Sequence, residues 1–235
     1  MALISRHVPA PETKRRFVQA MFDRIAPRYD ALNRLLTLGL DQRWRRIALE
    51  AVAVGPGDVV VDLACGTGDL CALAAQRGAH VVGVDFAREM LRRAGVRRVA
   101  AAFVQGDAEA LPFASASASV VTCGFALRNF VSLEAVLGEC ARVLRPGGRL
   151  ALLEVDRPRA RLVRAGHSLY FDRVVPRLGA LLSDRAAYRY LPESTSYLPP
   201  EAELLAAIER AGFTAVRKRG FLLGAAQLLI AERKA

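Results

Sequence analysis

A β-branched run ending in an acid, Val59-Val60-Val61-Asp62, leads into the small-residue loop Leu63-Ala64-Cys65-Gly66-Thr67-Gly68-Asp69. After one helix length comes a second apolar run ending in an acid, His80-Val81-Val82-Gly83-Val84-Asp85. This order predicts strand, glycine-containing loop, helix, strand, the repeating unit of an open parallel sheet. In such a unit the glycines let backbone approach a ligand, and an acid at the second strand tip can accept both hydroxyls of a ribose.

The same loop narrows the choice of nucleotide. A dinucleotide fingerprint, G-x-G-x-x-G, seats a pyrophosphate on the helix N-terminus, whereas here Ala64-Cys65-Gly66-Thr67-Gly68-Asp69 lacks the third glycine. Asp69, in the first helical turn, would repel a pyrophosphate. Asp62, at the first strand tip, can receive a cationic ligand. Both signs favour S-adenosylmethionine over NAD; a tight βα turn with no ligand is the plain alternative.

The alternation continues along the chain. Strands are expected at 58–63, 80–84, 101–105 and 119–124, with helices at 69–77 and 87–98 between them. A helix over 133–144 should stop at Pro146-Gly147-Gly148, followed by a strand over 149–155. A helix at 201–211 and two strand runs, 214–219 and 221–231, close the pattern around Gly220. So short a connection cannot join a parallel pair, so these two form an antiparallel hairpin. The expected fold is therefore α/β, Rossmann-like, with a seven-stranded, mostly parallel sheet whose last strand is antiparallel. Before it, residues 1–11 read as a loose tail. Helices then run from Glu12 towards Ala53, broken near Pro27 and Gly39, with Phe17, Ala20, Met21 and Ile25 as one apolar face and Trp44, Ile47, Ala48 and Ala51 as another. One domain over 1–235 is expected, with 1–55 as an N-terminal helical cap and 157–197 as an inserted helical lid.

Charge and cysteines bound the function class. The formal net charge is +11, and with Lys14, Lys218 and Lys234 the only lysines the basicity is nearly all arginine. Scattered singly, the arginines read as solvated cations; grouped, as in Arg15-Arg16, Arg43-Arg45-Arg46, Arg92-Arg93-Arg97-Arg98 and Arg157-Arg159-Arg161-Arg164, they could dock on an anionic membrane. Cys65, Cys71, Cys123 and Cys140 lack metal-ligand spacing, so no metal site is expected and a reduced, cytoplasmic setting is the default. None of His7, His80 and His167 is placed for catalysis. The uncharged stretch from Ala110 to Leu127 is too polar and too broken for a membrane helix.

Further polar groups follow the later strands: Gln105-Gly106-Asp107-Ala108-Glu109 after the third, and Gly124-Phe125-Ala126-Leu127-Arg128-Asn129 after the fourth. Ligands of open α/β sheets sit at the carboxyl ends of strands, so these clusters converge on one cleft.

From about Met21 to Phe213 the chain resembles the ubiquinone/menaquinone biosynthesis C-methyltransferases, within the class I S-adenosylmethionine-dependent methyltransferases. The resemblance lies in Met21-Phe22-Asp23-Arg24-Ile25-Ala26-Pro27-Arg28-Tyr29-Asp30 with Trp44, in Arg142-Val143-Leu144-Arg145-Pro146-Gly147-Gly148 running on to Glu154, in Phe125-Ala126-Leu127-Arg128-Asn129, and in Tyr188-Arg189-Tyr190-Leu191-Pro192-Glu193-Ser194. It implies that Asp62, Ala64, Gly66, Thr67 and Gly68 cradle the methionine end of the cofactor and that Asp85 and Phe86 hold the ribose side. Asp107 and Ala108 would hold the adenine, Gly124 and Asn129 would lie against the cofactor, and Tyr29 would cap it. It implies C-methylation of a prenylated quinol, demethylmenaquinol foremost. Arg128 would orient a water or stabilise a phenolate; a salt bridge tying the strand end to the lid is its other reading. Tyr170, Tyr190 and Glu193 would contact the acceptor, with Phe171 beside an isoprenoid channel.

The chain departs from that family at Asp41, where histidine is frequent, at Gly124 and Asp156, where serine is, and throughout Gly220–Ile230. These departures bear on the acceptor, so a soluble phenolic or polyketide-like acceptor stays open. An RNA substrate is disfavoured: no N-P-P-Y-like motif follows the fourth strand. The partners expected are an aromatic or quinol acceptor, one membrane face met peripherally and a second copy in a homodimer, with no nucleic acid.

Overall fold

The computed structural model describes residues 11–156, 158, 190 and 194–235. Most of the lid expected over 157–197 lies outside them, as do the expected tail, Tyr170, Phe171 and Glu193. Three helices come first: α1 (Pro11–Ile25), α2 (Tyr29–Thr37), entered through a 3-10 turn at Ala26–Arg28, and α3 (Leu40–Ala51). Leu38 (φ +52°) caps the end of α2 in left-handed conformation, and Gly39 (φ +74°), which adopts it without steric strain, opens α3.

The alternation then runs β1 (Val59–Leu63), α4 (Asp69–Ala75), β2 (His80–Asp85), α5 (Arg88–Val96), β3 (Ala102–Gln105), β4 (Ala118–Gly124), α6 (Leu133–Val143), β5 (Leu144–Val155), α7 (Glu201–Arg210), β6 (Phe213–Phe221) and β7 (Ala226–Arg233). From β1 to β4 every element begins and ends within two residues of its expected bounds. The strands form one sheet in the order β3-β2-β1-β4-β5-β7-β6. β1 to β5 are parallel to one another, whereas β7 is antiparallel to both β5 and β6.

Three details differ from expectation. The helix before Pro146 ends at Val143, and Pro146-Gly147-Gly148 forms a bulge within β5: Leu144 pairs with Ala118, but Arg149 pairs with Val120. The final hairpin turns at Leu222–Gly224 rather than at Gly220, with Leu222 and Leu223 themselves at positive φ. On α1 the buried face is Lys14, Val18, Met21 and Ile25, not Phe17 and Ala20. Phe17 is left half-exposed, its ring edge-on to Tyr190 at 5.6 Å. Lys14 can go inside because its Nζ donates to the carbonyls of Phe130 (2.6 Å) and Arg128 (3.3 Å), which gives the buried cation partners.

Period-two alternation splits the core between the sheet's faces. Val61, Leu63, Val121, Cys123, Leu150 and Leu152 pack with Leu137, Leu204 and Ile208 of α6 and α7. Val60, Val120, Ala151 and Leu153 face the opposite way, onto Trp44, Ala48 and Leu49 of α3 and Leu70 and Ala74 of α4. A third cluster joins α1 and α2 to α5 through Val18, Met21, Leu32 and Met90. The N-terminal helices are thereby fixed over the carboxyl ends of β1 and β2, where the polar clusters converge.

Candidate functional site

Where β1 and β4 end side by side, the backbone turns through left-handed conformations at two non-glycine residues, Ala64 (φ +48°) and Phe125 (φ +63°). Such backbone is unfavourable for an L-residue and persists only where surrounding contacts hold it. Here the Phe125 N–H donates to the Leu153 carbonyl at 2.6 Å, and its carbonyl accepts from Arg128 Nη1 at 2.8 Å. The two turns border a cleft open to solvent.

The cleft is lined by Tyr29, Phe22, Ala64, Gly66, Asp85, Phe86, Met90, Asp107, Ala108, Glu109, Gly124, Asn129 and Arg15, among others. A smaller lobe continues from it along Tyr29, Ala64, Gly66 and Gly124 to Asp62, Thr67, Asp69 and Arg45. The expected clusters after β1, β2, β3 and β4 are thus brought to one cavity. Gly68 borders neither space; at φ +82° it caps α4, and a Cβ there would stand 3.1 Å from the Phe103 ring.

Asp85 is both a ligand candidate and a local cap. Its Oδ2 accepts the Gly66 N–H at 2.7 Å and its Oδ1 the Ala87 N–H at 2.8 Å. Each oxygen keeps a second lone pair for a hydroxyl. Burial raises its pKa to about 6 against these two bonds, which favour the ionised form. Asp62 lies deeper. Burial lifts it to about 7, although Thr122 Oγ1 (2.7 Å) and Cys71 Sγ (3.4 Å) donate to it and the Arg45 charge also favours ionisation. A cation nearby would return both acids to their charged forms.

Asp69 behaves oppositely. Burial favours its neutral form, but the charges of Arg45 and Arg97 and the bonds from Arg97 (2.8 Å) and Gln42 (2.8 Å) outweigh it and hold the carboxyl below its usual range. Thr67 Oγ1 donates to Asp30 at 2.5 Å and its carbonyl accepts from Arg97 at 2.9 Å, so the loop is fixed to α2 and α5. Phe86 offers its carbonyl to Gln19 (2.8 Å) and Gln105 (3.2 Å). After β3, Asp107 accepts from the Glu109 N–H at 2.9 Å and pairs with Arg15 at 3.2 Å, while Ala108 is buried in the cleft wall.

Arg128 is buried. Its guanidinium pairs with Glu154, which has no exposed surface, and donates to Phe125 O and to Ser194 Oγ at 3.1 Å. It is not among the cleft's lining residues; the geometry is that of a tie between strand end and the Ser194 segment. Its neighbour Asn129 does line the cleft and accepts a hydrogen bond from Tyr190 Oη at 3.2 Å. Burial raises the Tyr190 pKa well above that of a free phenol, so it remains a donor. His80 is exposed at the start of β2, remote from the strand tips.

Several site residues escaped the sequence reading. Arg45 was grouped with Arg43 and Arg46 as a surface cluster; Arg43 and Arg46 are exposed, but Arg45 is 5% exposed and borders the small lobe. Its spacing from Asp41, one helical turn, was the available signal. Lys14, Arg15 and Asp30 act across long sequence separations and left none.

The cavity suits S-adenosylmethionine in its donor set. It offers acids for ribose and for positive charge, exposed backbone beside Gly66, and an apolar wall of Phe22, Tyr29, Phe86 and Met90. Solved structures share the fold: a SAM-dependent methyltransferase from Thermotoga maritima (TM-score 0.63, 19% identity, 92% of this chain and 99% of that one) and Haemonchus contortus phosphoethanolamine N-methyltransferase 2 in complex with S-adenosyl-L-methionine (0.61, 14%, 82% and 53%). Curated relatives include demethylmenaquinone methyltransferases of Thermus thermophilus, 44% identical over 91% of this chain and 100% of that one, and of Deinococcus radiodurans, 45% identical over 95% of each. The ubiquinone/menaquinone biosynthesis C-methyltransferase UbiE of Syntrophotalea carbinolica is 43% identical over 85% of this chain and 86% of its own. A model of the ubiE/COQ5 methyltransferase family matches residues 10–232. By that match and by these relatives the chain belongs to the ubiE/COQ5 methyltransferase family and is an S-adenosylmethionine-dependent methyltransferase.

Proposed function

We propose that this protein methylates a ring carbon of a prenylated hydroquinone, demethylmenaquinol, in menaquinone biosynthesis. The observation carrying this reading is the 44–45% identity to demethylmenaquinone methyltransferases across more than nine-tenths of the chain. When bound, S-adenosylmethionine supplies an electrophilic methyl group. Asp85 and Phe86 would hold its ribose side, Asp107 and Ala108 its adenine, the Ala64–Gly68 loop and Asp62 its methionine end, with Gly124 and Asn129 alongside and Tyr29 as the cap.

The acceptor brings its own nucleophile, because loss of a phenolic proton places negative charge on the adjacent ring carbon. The protein's task is then alignment and exclusion of water. Tyr29 and Phe22, with rings 6.0 Å apart, close one side of the cleft. Tyr190 holds Asn129. Arg128, paired with Glu154, is a positioning residue that fixes the Phe125–Asn129 turn rather than a group that touches the acceptor. Among the described residues no histidine borders the cleft. Tyr170 and Glu193 belong to the proposed acceptor side by resemblance alone. The domain reading, one domain with residues 1–55 as cap and 157–197 as lid, is part of the same proposal.

Peripheral contact with an anionic membrane face fits a lipid acceptor. Among the described residues no helix is long and apolar enough to cross a membrane. Leu38, Leu222 and Leu223 are 85%, 59% and 77% exposed, at turns on the rim where the parallel strands end, and insertion of such side chains with arginines nearby is the usual interfacial arrangement. Co-sedimentation with anionic vesicles tests this. A homodimer is carried with it, and light scattering showing a monomer would remove that part.

The deciding experiment is methyl transfer from labelled S-adenosylmethionine to demethylmenaquinol, a demethylated benzoquinol and small soluble phenols. Preferred labelling of demethylmenaquinol is expected. Labelling of soluble phenols alone would move the acceptor to a soluble metabolite.

A further inference from the structure

The small lobe beside the cleft holds one basic side chain among its lining residues, Arg45. It is a built feature rather than a surface arginine. Its Nη1 bonds Asp41 Oδ2 at 2.7 Å, one helical turn back on α3, and the Phe125 ring lies 5.0 Å from its guanidinium carbon. Asp41 is itself fixed: Oδ1 accepts from Thr37 Oγ1 at 2.9 Å, and Oδ2 also accepts from Gln42 Nε2 at 3.0 Å. Both partners are at least nine-tenths buried.

A guanidinium has five N–H donors in a planar fork. Only one hydrogen bond engages Arg45 among the described residues, and neither Nε nor Nη2 is among the buried atoms that lack a partner. Its remaining donors are therefore accessible, and the space that Arg45 borders is the lobe. Asp41 and Phe125 set the plane of the fork, so little side-chain entropy remains to be lost when an anion arrives. The lobe is also lined by Asp62 and by Asp69, the second held ionised by the charges of Arg45 and Arg97. It thus offers both signs, as a zwitterionic amino-acid group requires, and it opens off the cleft beside Gly66.

We propose that Arg45, oriented by Asp41, clamps the α-carboxylate of the cofactor's methionine half. This rests on the S-adenosylmethionine reading of the cleft. The clamp would contribute through charge-assisted hydrogen bonds, and it would make the site discriminate against adenosyl thioethers that lack the amino-acid end.

The test deletes the carboxylate from the ligand and the guanidinium from the protein in one cycle. Calorimetry measures binding of S-adenosylhomocysteine and of 5′-methylthioadenosine, which keeps adenosine and thioether but has no carboxylate. Arg45→Met should weaken S-adenosylhomocysteine by roughly 10- to 100-fold, the scale of hydrogen bonds to a charged group, and 5′-methylthioadenosine by about 2-fold or less. Arg45→Lys should recover part of the loss, and Asp41→Asn should weaken S-adenosylhomocysteine several-fold at most. Equal weakening of both ligands, or unchanged S-adenosylhomocysteine binding, overturns the clamp while leaving the cofactor assignment intact. Should Arg45→Met not fold, Arg45→Lys carries the same cycle, with binding of 5′-methylthioadenosine reporting an intact cleft. Failure of the unaltered protein to bind either ligand overturns the cofactor reading and the clamp together.

Discussion

At the tips of β1 and β2 the site is made of short acids and backbone: Asp85 is held by the Gly66 and Ala87 N–H groups, Asp62 by Thr122 and Cys71. At the tips of β4 and β5 it is made of long side chains that meet across the chain: Arg128 with Glu154, Arg128 with Ser194, Tyr190 with Asn129. The first kind of construction is local and has few degrees of freedom, which suits the nucleoside grip proposed for it. The second depends on segments far apart in sequence, so its geometry follows from the completed fold.

Breaking the buried pair tests that contrast most severely. Glu154→Gln leaves the Arg128 charge without its counterion and should destabilise the protein by about 3–5 kcal/mol, read by denaturant unfolding, whereas adding Arg128→Met should restore part of the loss. A double variant no more stable than the single one would show that the pair is not the tie described. Next in size, Asp85→Ala should weaken S-adenosylhomocysteine by roughly 100-fold, as expected for two hydrogen bonds to a carboxylate at about 1.5 kcal/mol or more each. An unchanged dissociation constant in calorimetry would take Asp85 out of the nucleoside grip and leave it a cap.

The pH dependence sharpens the nucleoside side further. Asp62 and Asp85 bind protons more tightly in the folded state, at about 7 and about 6, than in the unfolded chain, at about 3.9. Their contribution to stability is therefore full below about pH 4 and lost as pH rises through their folded values. The ligand-free melting temperature should carry a falling component between pH 4 and 7, and Asp62→Asn should flatten it; an identical slope in the variant would refute the assignment. Smallest of the four, Tyr190→Phe removes one neutral hydrogen bond of about 1 kcal/mol. It should lower kcat a few-fold and leave S-adenosylhomocysteine affinity within about 2-fold, and the reverse pattern would put Tyr190 on the nucleoside side.

The same contrast explains what could be read from residues alone. The place of Gly66, Asp85 and Asp107 at the cleft was legible because βα alternation puts the residues after each parallel strand at one rim of the sheet. The mostly parallel sheet followed from alternation, and the antiparallel pairing of β6 with β7 from the short connection between them; the strand order itself came only with the structure. Arg45 was hidden inside Arg43-Arg45-Arg46, where only the helical register separates the buried cation from two solvated ones. On α1, Phe17 is the more apolar residue, yet Lys14 is the one buried, since the carbonyls that receive it lie more than a hundred residues away. The hairpin turn was misplaced for a local reason: Gly220 lies within β6, and the turn is made by Leu222 and Leu223 in left-handed backbone ahead of Gly224, where leucines give no turn signal.

The placement of β7 has a bearing on how the protein is made. It follows β6 in the chain yet lies between β5 and β6, so until it emerges from the ribosome β6 has no neighbour and the flank of β5 stands open. Nascent molecules interrupted shortly after Phe221 would present an unpaired β6 and an open edge of β5 at once, and such edges invite pairing between chains.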